Sequence, residues 1–202
     1  MEQPQEAFEK MARAPATLLI KQAAMHLALW VIALSLFAAA DSWSQLTGWT
    51  LATLLTVLTG IAAGFLTVNL VHEWFHYLGA KFSAADYTVR DKPSLFVFDW
   101  NFEKNTLNKF FSMSVAGTVG GVLALWAVFS AVDTDTAGRA ALVAGAAASF
   151  AFGSIIEWPV LMRTRRSKNP MSELAKINPK VLGRASAGSA IAGLLCWWAL
   201  IG

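Results

Sequence analysis

The sequence predicts an all-α membrane protein with about five transmembrane helices and a small cytoplasmic β-hairpin between the second and third helices. Of its 202 residues, 56% are hydrophobic and only 14% are charged. A soluble domain carries about a quarter of its residues as Asp, Glu, Lys or Arg. Long apolar stretches recur five times along the chain. We therefore expect a single polytopic membrane domain over residues 22–202, preceded by a cytoplasmic segment of residues 1–21.

Each apolar stretch approaches the roughly 20 residues that a helix needs to cross a bilayer core. The second stretch is over-long, so its end is expected to project beyond the hydrocarbon or to break. Three alanines before Asp41 resemble a signal-cleavage site, but the apolar stretch before them exceeds a usual signal core, which favours an uncleaved span. The predicted spans cover residues 22–40, 46–80, 110–132, 139–162 and 185–201.

Basic and non-basic connections alternate along the chain. Lys and Arg occur in the N-terminal segment and in the loops of residues 81–109 and 163–184, whereas the connections at 41–45 and 133–138 carry neither. The positive-inside rule therefore predicts the cell (inner) membrane as the location, with a cytoplasmic N-terminus and an outer C-terminus. The basic cluster that begins at Arg163 is expected to meet anionic lipid headgroups.

The loop of residues 81–109 has the pattern of a β-hairpin. Aromatic residues occupy every second position of one stretch, at Phe96, Phe98, Trp100 and Phe102. This period of two predicts a strand with one aromatic face, paired with residues 86–89 through a turn at 91–94. The aromatic face is expected to rest on the membrane interface. The open edge could receive an extended peptide by strand addition.

Composition argues against two other classes of site. The formal net charge of +3 is modest and its basic residues fall mostly in loops, so nucleic-acid binding is not expected. Cys196 is the single cysteine, which excludes an intrachain disulfide and a cysteine-based zinc cluster. The sequence leaves the oligomeric state open. Small residues at four-residue spacing predict close helix packing, at Gly60 and Gly64, Gly117 and Gly121, and Gly145, Ser149 and Gly153.

The chemistry-bearing motif is His72-Glu73-Trp74-Phe75-His76, an H-E-x-x-H sequence late in the second apolar stretch. Histidines four apart lie on one face of a helix, where both imidazoles can bind one zinc ion. Glu73 is then placed to act as a base on a water that the metal activates. Ionisable groups at membrane depth are costly and usually functional, so we expect a metal site rather than a chance match.

A catalytic zinc usually has three protein ligands, so a third is needed. Glu157 is the best candidate, because it lies near the cytoplasmic end of a span that runs in the same direction as the histidine span. It is also the only acidic residue within the third, fourth or fifth span. The alternative is a carboxylate that pairs with Arg163 or Arg165 at the interface. Further candidate ligands are Asp86, Asp91, Asp99 and His26, and His26 could instead bond to a backbone carbonyl.

Residues 69–166 resemble the site-2 protease family of intramembrane zinc metalloproteases and related membrane zincin-like families of unknown function. The resemblance rests on the H-E-x-x-H motif, the β-rich loop that follows, and a span that opens with Ala116-Gly117. The chain departs from the family pattern at two places. Thr118 stands where the family has proline, and Glu157 followed by Trp158 stands where the family has Asp followed by Gly.

The resemblance implies peptide-bond hydrolysis within or beside the membrane. In that function His72, His76 and Glu157 hold Zn²⁺, Glu73 is the catalytic base, and the substrate is a membrane protein or peptide. One alternative is a catalytically inactive relative that binds metal and acts through membrane partners. A second alternative is a haem protein, in which His26 and a histidine of the motif supply axial ligands from different helices.

Overall fold

The computed structural model describes the backbone of residues 4–202 and the side chains of residues 16–202. Residues 1–3 of the expected N-terminal segment lie outside the described residues. The elements in chain order are α1 (Pro4–Thr47), α2 (Thr50–Phe82), β1 (Tyr87–Val89), β2 (Phe98–Trp100), α3 (Leu107–Ala131), α4 (Ala137–Ser167), α5 (Pro170–Leu174) and α6 (Pro179–Ile201). Five helices, α1 to α4 and α6, are long and apolar enough to cross a membrane. The predicted five-helix architecture with a small hairpin is therefore confirmed, and it indicates a multi-pass membrane protein.

The boundary between α1 and α2 differs from the prediction. Residues 41–45, expected to be a connection, are the end of α1, and the chain turns instead at Gly48, whose φ is +64°. The helix continues because Asp41 accepts hydrogen bonds from Gln45 and Arg139, which stabilise a carboxylate on the inner face of α1. The three alanines before Asp41 therefore lie within a continuous helix.

Helix α2 is unbroken over 33 residues. At 1.5 Å per residue it is about 50 Å long, which exceeds the roughly 30 Å of a bilayer core. The over-long second stretch therefore ends in a continuous helix and does not break. Its last turns lie beside the hairpin, and we call this side of the molecule the hairpin end of the bundle.

Polar caps explain why three helices begin before their apolar stretches. The side chains of Thr106 and Thr136 accept hydrogen bonds from backbone amides in the first turns of α3 and α4. Asn178 does the same for α6, whose first residue is Pro179. A cap fixes the start of a helix independently of hydrophobicity, so boundaries taken from hydropathy alone begin two to six residues late.

Glycines allow α2 and α4 to pack closely along their length. A methyl group at Gly64 would overlap the backbone carbonyl of Leu142, and one at Gly145 would overlap the backbone carbonyl of Ile61. Small-residue spacing thus has the packing role that the sequence predicts at these positions. Helix α6 packs against the other side of α4, where the Ser189 hydroxyl donates to the carbonyl of Ala148 at 2.7 Å.

The two strands pair antiparallel, with Tyr87 opposite Trp100 and Val89 opposite Phe98. The connection between them covers residues 90–97, which is longer than the turn expected at 91–94. Most of the aromatic face packs against the ends of the helices and is half-buried there. Phe98 lies against Tyr77 of α2, and Trp100 lies against Phe110 of α3. These edge-to-face contacts between aromatic rings are favourable. Phe96 alone among the four is largely exposed.

Candidate metal centre

The two histidines of the motif face one another on α2. Their rings are edge to face with centroids 4.4 Å apart, and the Nε2 atoms of His72 and His76 are 2.8 Å apart. The helical spacing of four residues places both rings on the face that α2 presents to α3 and α4. Six residues, or about 9 Å of helix, separate His76 from the end of α2, so the pair lies near the hairpin end.

Glu157 of α4 meets both imidazoles. Its Oε1 atom lies 2.7 Å from Nε2 of His72 and 3.2 Å from Nε2 of His76. The alternative partner, Arg163, pairs instead with Glu173 at 3.0 Å. The three side chains named in the sequence analysis as metal ligands therefore converge at one point between α2 and α4.

The hydrogen bond made by Nδ1 of His76 determines whether Nε2 of the same ring can bind a metal. Its Nδ1 lies 2.9 Å from the backbone carbonyl oxygen of Met113, in α3. A carbonyl oxygen only accepts hydrogen bonds, so Nδ1 carries the proton and Nε2 of the neutral ring keeps its lone pair. That lone pair points toward His72 and Glu157. A metal-binding histidine is usually oriented in this way.

Gly117 of α3 provides the space in which the His76 ring lies. A methyl group at this position would overlap the ring. At Gly121 an added methyl would be 3.4 Å from Nδ1 of His72, and at Gly153 of α4 it would be 3.6 Å from Cε1 of the same ring. The spacing of these small residues predicted helix packing alone, and only the structure shows that three of them adjoin a histidine ring.

Glu73 stands beside the pair on the same helix. One of its carboxylate oxygens and one nitrogen of each histidine ring lie within 4.8 Å of one another. It is partly exposed, as are His72 and His76. A carboxylate at this distance is close enough to exchange a proton with a water held between the ligand atoms.

The residues present fit a zinc ion. Two imidazole nitrogens and one carboxylate oxygen form a usual zinc donor set. Ligand atoms that share one tetrahedral zinc stand roughly 3.3 Å apart, so the observed separations need to lengthen by at most about 0.6 Å. The other carboxylate oxygen of Glu157, Oε2, is buried without a hydrogen-bond partner among the described residues, which is costly for a carboxylate unless a cation compensates it.

The other candidate ligands have different partners. Asp86 accepts a hydrogen bond from Asn101, and Asp99 pairs with Arg90 at 2.6 Å, so both carboxylates serve the hairpin. Asp91 is exposed in the connection between the strands. None of the three belongs to the cluster of ligand atoms around the histidine pair among the described residues.

His26 of α1 is buried, and both of its ring nitrogens are hydrogen-bonded. The indole N–H of Trp74 donates to Nδ1 at 3.0 Å, so Nε2 carries the proton and donates to the carbonyl of Ser94 at 2.8 Å. This bond to a backbone carbonyl is one of the two roles considered for His26. It leaves no lone pair for iron or zinc, so this geometry argues against a haem ligand.

A cavity of about 170 Å³ adjoins the centre on the side of the hairpin and α5, with His76 and Glu157 in its wall. The rest of the wall is almost entirely apolar. Trp100 and Phe102 contribute from the hairpin side, and Val160 and Leu161 from α4. This cavity was not foreseen from the sequence, because its walls come from segments far apart in the chain.

Comparisons of the chain with protein-family models, with curated proteins and with solved structures found no match.

Proposed function

We propose that this chain is a zinc-dependent peptidase that hydrolyses peptide bonds of membrane-associated substrates, and that it is related to the site-2 proteases it resembles. The observation that carries the proposal is the meeting of His72, His76 and Glu157 at 2.7–3.2 Å, with Glu73 alongside. Two imidazoles, one carboxylate ligand and one further carboxylate are the groups that zinc peptidases of the H-E-x-x-H type use.

Each side chain has a distinct task in this proposal. A zinc ion, when bound, supplies an acidified water and polarises the carbonyl of the substrate. His72, His76 and Glu157 hold the metal, and the carbonyl of Met113 holds the proton of the neutral His76 ring on Nδ1, which leaves the lone pair of Nε2 for the metal. Glu73 accepts the proton of the attacking water and returns it to the leaving amine, because it is the carboxylate beside the ligands that is not needed as a ligand.

The location of the centre supports access for both water and substrate. It lies about 9 Å from the end of α2, so water needs to penetrate only a short distance from the hairpin end. We propose that this end is cytoplasmic, following the distribution of Lys and Arg, and that the protein lies in the inner membrane. A helical substrate must unwind to expose a carbonyl, and an outer edge of the hairpin offers hydrogen bonds to the extended part.

The test combines metal analysis with a cleavage assay. The full chain, purified in detergent, should contain one zinc per chain, and His72→Ala, His76→Ala and Glu157→Gln should each lose most of it. Glu73→Gln should keep the zinc but cleave a mixture of synthetic transmembrane peptides at least about a hundredfold more slowly. The matched control is Glu103→Gln, which changes an exposed carboxylate of the hairpin loop.

The same measurements separate the proposal from its alternatives. Stoichiometric zinc without cleavage of any peptide would favour an inactive metal-binding relative. Iron in place of zinc would refute the zinc-dependent peptidase, and undiminished cleavage by Glu73→Gln would refute the role assigned to Glu73. A Soret band in the purified protein would indicate haem.

A further inference from the structure

The cavity beside the metal centre has a composition that differs sharply from the centre itself. Apart from His76 and Glu157, its wall contains one hydroxyl, from Ser114, and otherwise apolar side chains and the aromatic ring of Trp100. Among the residues whose side chains the structure describes, no Lys, Arg or Asp lines it. A charged or strongly polar group entering this space would lose hydration without gaining a partner, whereas an apolar group would be stabilised.

The cavity is built where α2, α3 and α4 meet the hairpin and the segment around α5. The hairpin provides Trp100, the residues after β2 provide Phe102, α4 provides Val160 and Leu161, and the segment around α5 provides Leu174 and Ile177. Most of these side chains pack around the same hydrophobic cluster, whose buried members are Phe110, Val160 and Leu161. The cavity therefore lies within a packed apolar cluster, and the side chains of that cluster set its size.

The volume limits what the pocket accepts. An apolar cavity of about 150 Å³ is large enough to bind benzene. The present cavity of about 170 Å³ is therefore suited to one phenyl ring or one branched aliphatic side chain, and it is small for an indole. One end of the cavity is formed by two metal-binding side chains. A substrate side chain that fills the cavity is therefore attached to a substrate backbone that lies beside the ligand atoms of the metal centre.

We propose that this cavity is a specificity pocket for one large, uncharged apolar side chain of the substrate, of phenylalanine or leucine size, adjacent to the bond that is cleaved. The inference rests on the proposed function, since it takes the centre of His72, His76 and Glu157 as the reacting site. Leu174 and Ile177 form the wall that the segment between α4 and α6 contributes, and they set the size of the accepted side chain.

The test uses small hydroxamates that bind zinc and differ only in the attached group. Affinities of the zinc-loaded full chain are measured by calorimetry for acetohydroxamate, 3-phenylpropanohydroxamate, the hydroxamate of glutaric acid and indole-3-propanohydroxamate. The phenyl compound should bind about tenfold to a hundredfold more tightly than acetohydroxamate, as expected for burial of one phenyl-sized group. The carboxylate and indole compounds should gain little.

Two variants of the same residue report on the pocket directly. Ile177→Trp fills it and should bring the ratio of phenyl to acetohydroxamate affinity close to one. Ile177→Ala enlarges it and should raise the affinity for the indole compound roughly tenfold relative to acetohydroxamate. The matched controls are Leu195→Trp and Leu195→Ala, at a position on α6 that is 61% exposed, and both should keep the original ratios.

The outcomes distinguish the pocket from the metal centre. If acetohydroxamate binds only with zinc but the phenyl compound binds no more tightly, the pocket is refuted and the peptidase proposal survives. If acetohydroxamate shows no zinc-dependent binding, the metal centre is refuted, and the pocket inference falls with it. The pocket would also be overturned by a combination of two results. In that case Ile177→Trp would keep the preference for the phenyl compound, and Ile177→Ala would leave the affinity for the indole compound unchanged.

Discussion

Nδ1 of His76 lies 2.9 Å from the backbone carbonyl of Met113, so a helix that contributes no ligand orients a ligand of the candidate metal centre. The same helix provides Gly117, against which the ring of His76 packs. Helix α3 therefore acts on the centre through shape and one hydrogen bond. The effect of α3 on the centre can therefore be measured as a change in zinc affinity, without an activity assay.

We expect Gly117→Ala to weaken zinc binding by about tenfold to a hundredfold, the range typical when the support of a metal ligand is removed. The added methyl overlaps the His76 ring, so the ring must turn away from His72 and Glu157. Competition with a zinc-binding dye measures the change.

The control for this change is Gly183→Ala in α6, where an added methyl meets no atom within 4 Å. It should leave zinc affinity unchanged. Equal zinc affinities of Gly117→Ala and the unmodified protein would show that the His76 ring does not need this space.

His26 and Gln22 hold the connection between the strands on α1. The Gln22 amide donates to the carbonyls of Arg90 and Lys92, and His26 donates to the carbonyl of Ser94. We expect His26→Ala to accelerate hydrogen exchange of the Arg90 amide roughly fivefold, since each lost hydrogen bond is worth about 1 kcal/mol. Zinc content should not change, because both ring nitrogens are already occupied.

Leu27→Ala serves as the control for His26→Ala, because Leu27 is an exposed residue of the same helix. It should alter neither exchange nor zinc content. Loss of zinc in His26→Ala, with the helices still intact by circular dichroism, would argue that His26 is part of the centre after all.

Asp41 joins α1 to α4 at the end of the bundle opposite the hairpin. Its Oδ2 atom lies 3.1 Å from Nε of Arg139 and accepts a hydrogen bond from Gln45, while Arg139 also pairs with Asp135. We expect Asp41→Ala to reduce the free energy of unfolding in detergent by about 1–2 kcal/mol. This is below the value for a fully buried pair, since Arg139 remains 30% exposed.

Asp135→Ala removes the other partner of Arg139 and provides the matched comparison. Its carboxylate is 63% exposed, so the change should cost no more than about 0.5 kcal/mol. Thermal or denaturant unfolding in micelles measures both variants. Equal losses for the two would mean that burial of Asp41 contributes nothing.

Glu173 attaches α5 to the end of α4. Hydrogen bonds from Lys176, Ser167 and Arg163 hold the pKa of its carboxyl below the usual 4.5, and Lys176 has the largest effect. Because the folded-state pKa is depressed, the attachment is fully present above about pH 4.5 and is lost as the pH falls through the lower, folded-state value. The protection factors of the amides in residues 170–178, which are corrected for the pH dependence of intrinsic exchange, should therefore fall only in acid.

Glu173→Gln should show the accelerated exchange already at pH 7, since it removes the charge with little change of shape. The control is Glu103→Gln, which should exchange in this segment like the unmodified protein. A segment that loosens between pH 6 and 8 in the unmodified protein would contradict the assignment to Glu173.

Part of this architecture follows from the sequence because it depends on local pattern. Apolar runs of bilayer length indicated five helices, and the alternation from Phe96 to Phe102 indicated a strand. Helix ends were less predictable. The caps Thr106, Thr136 and Asn178 start helices within polar segments, and Asp41 continues one through a polar segment, because Arg139, far away in the chain, stabilises its charge.

The candidate site was likewise predictable in part from local sequence pattern, and the rest depended on the packing of the helices. His72, Glu73 and His76 share one turn of a helix, so their spacing alone determined that they could act together. The rotation of the helices about their axes decided which carboxylate meets these three residues. It also decided that His26 lies away from them. That rotation is decided by close contacts at glycines, with backbone at Gly64 and Gly145 and with the His76 ring at Gly117, and such contacts exist only in the packed bundle.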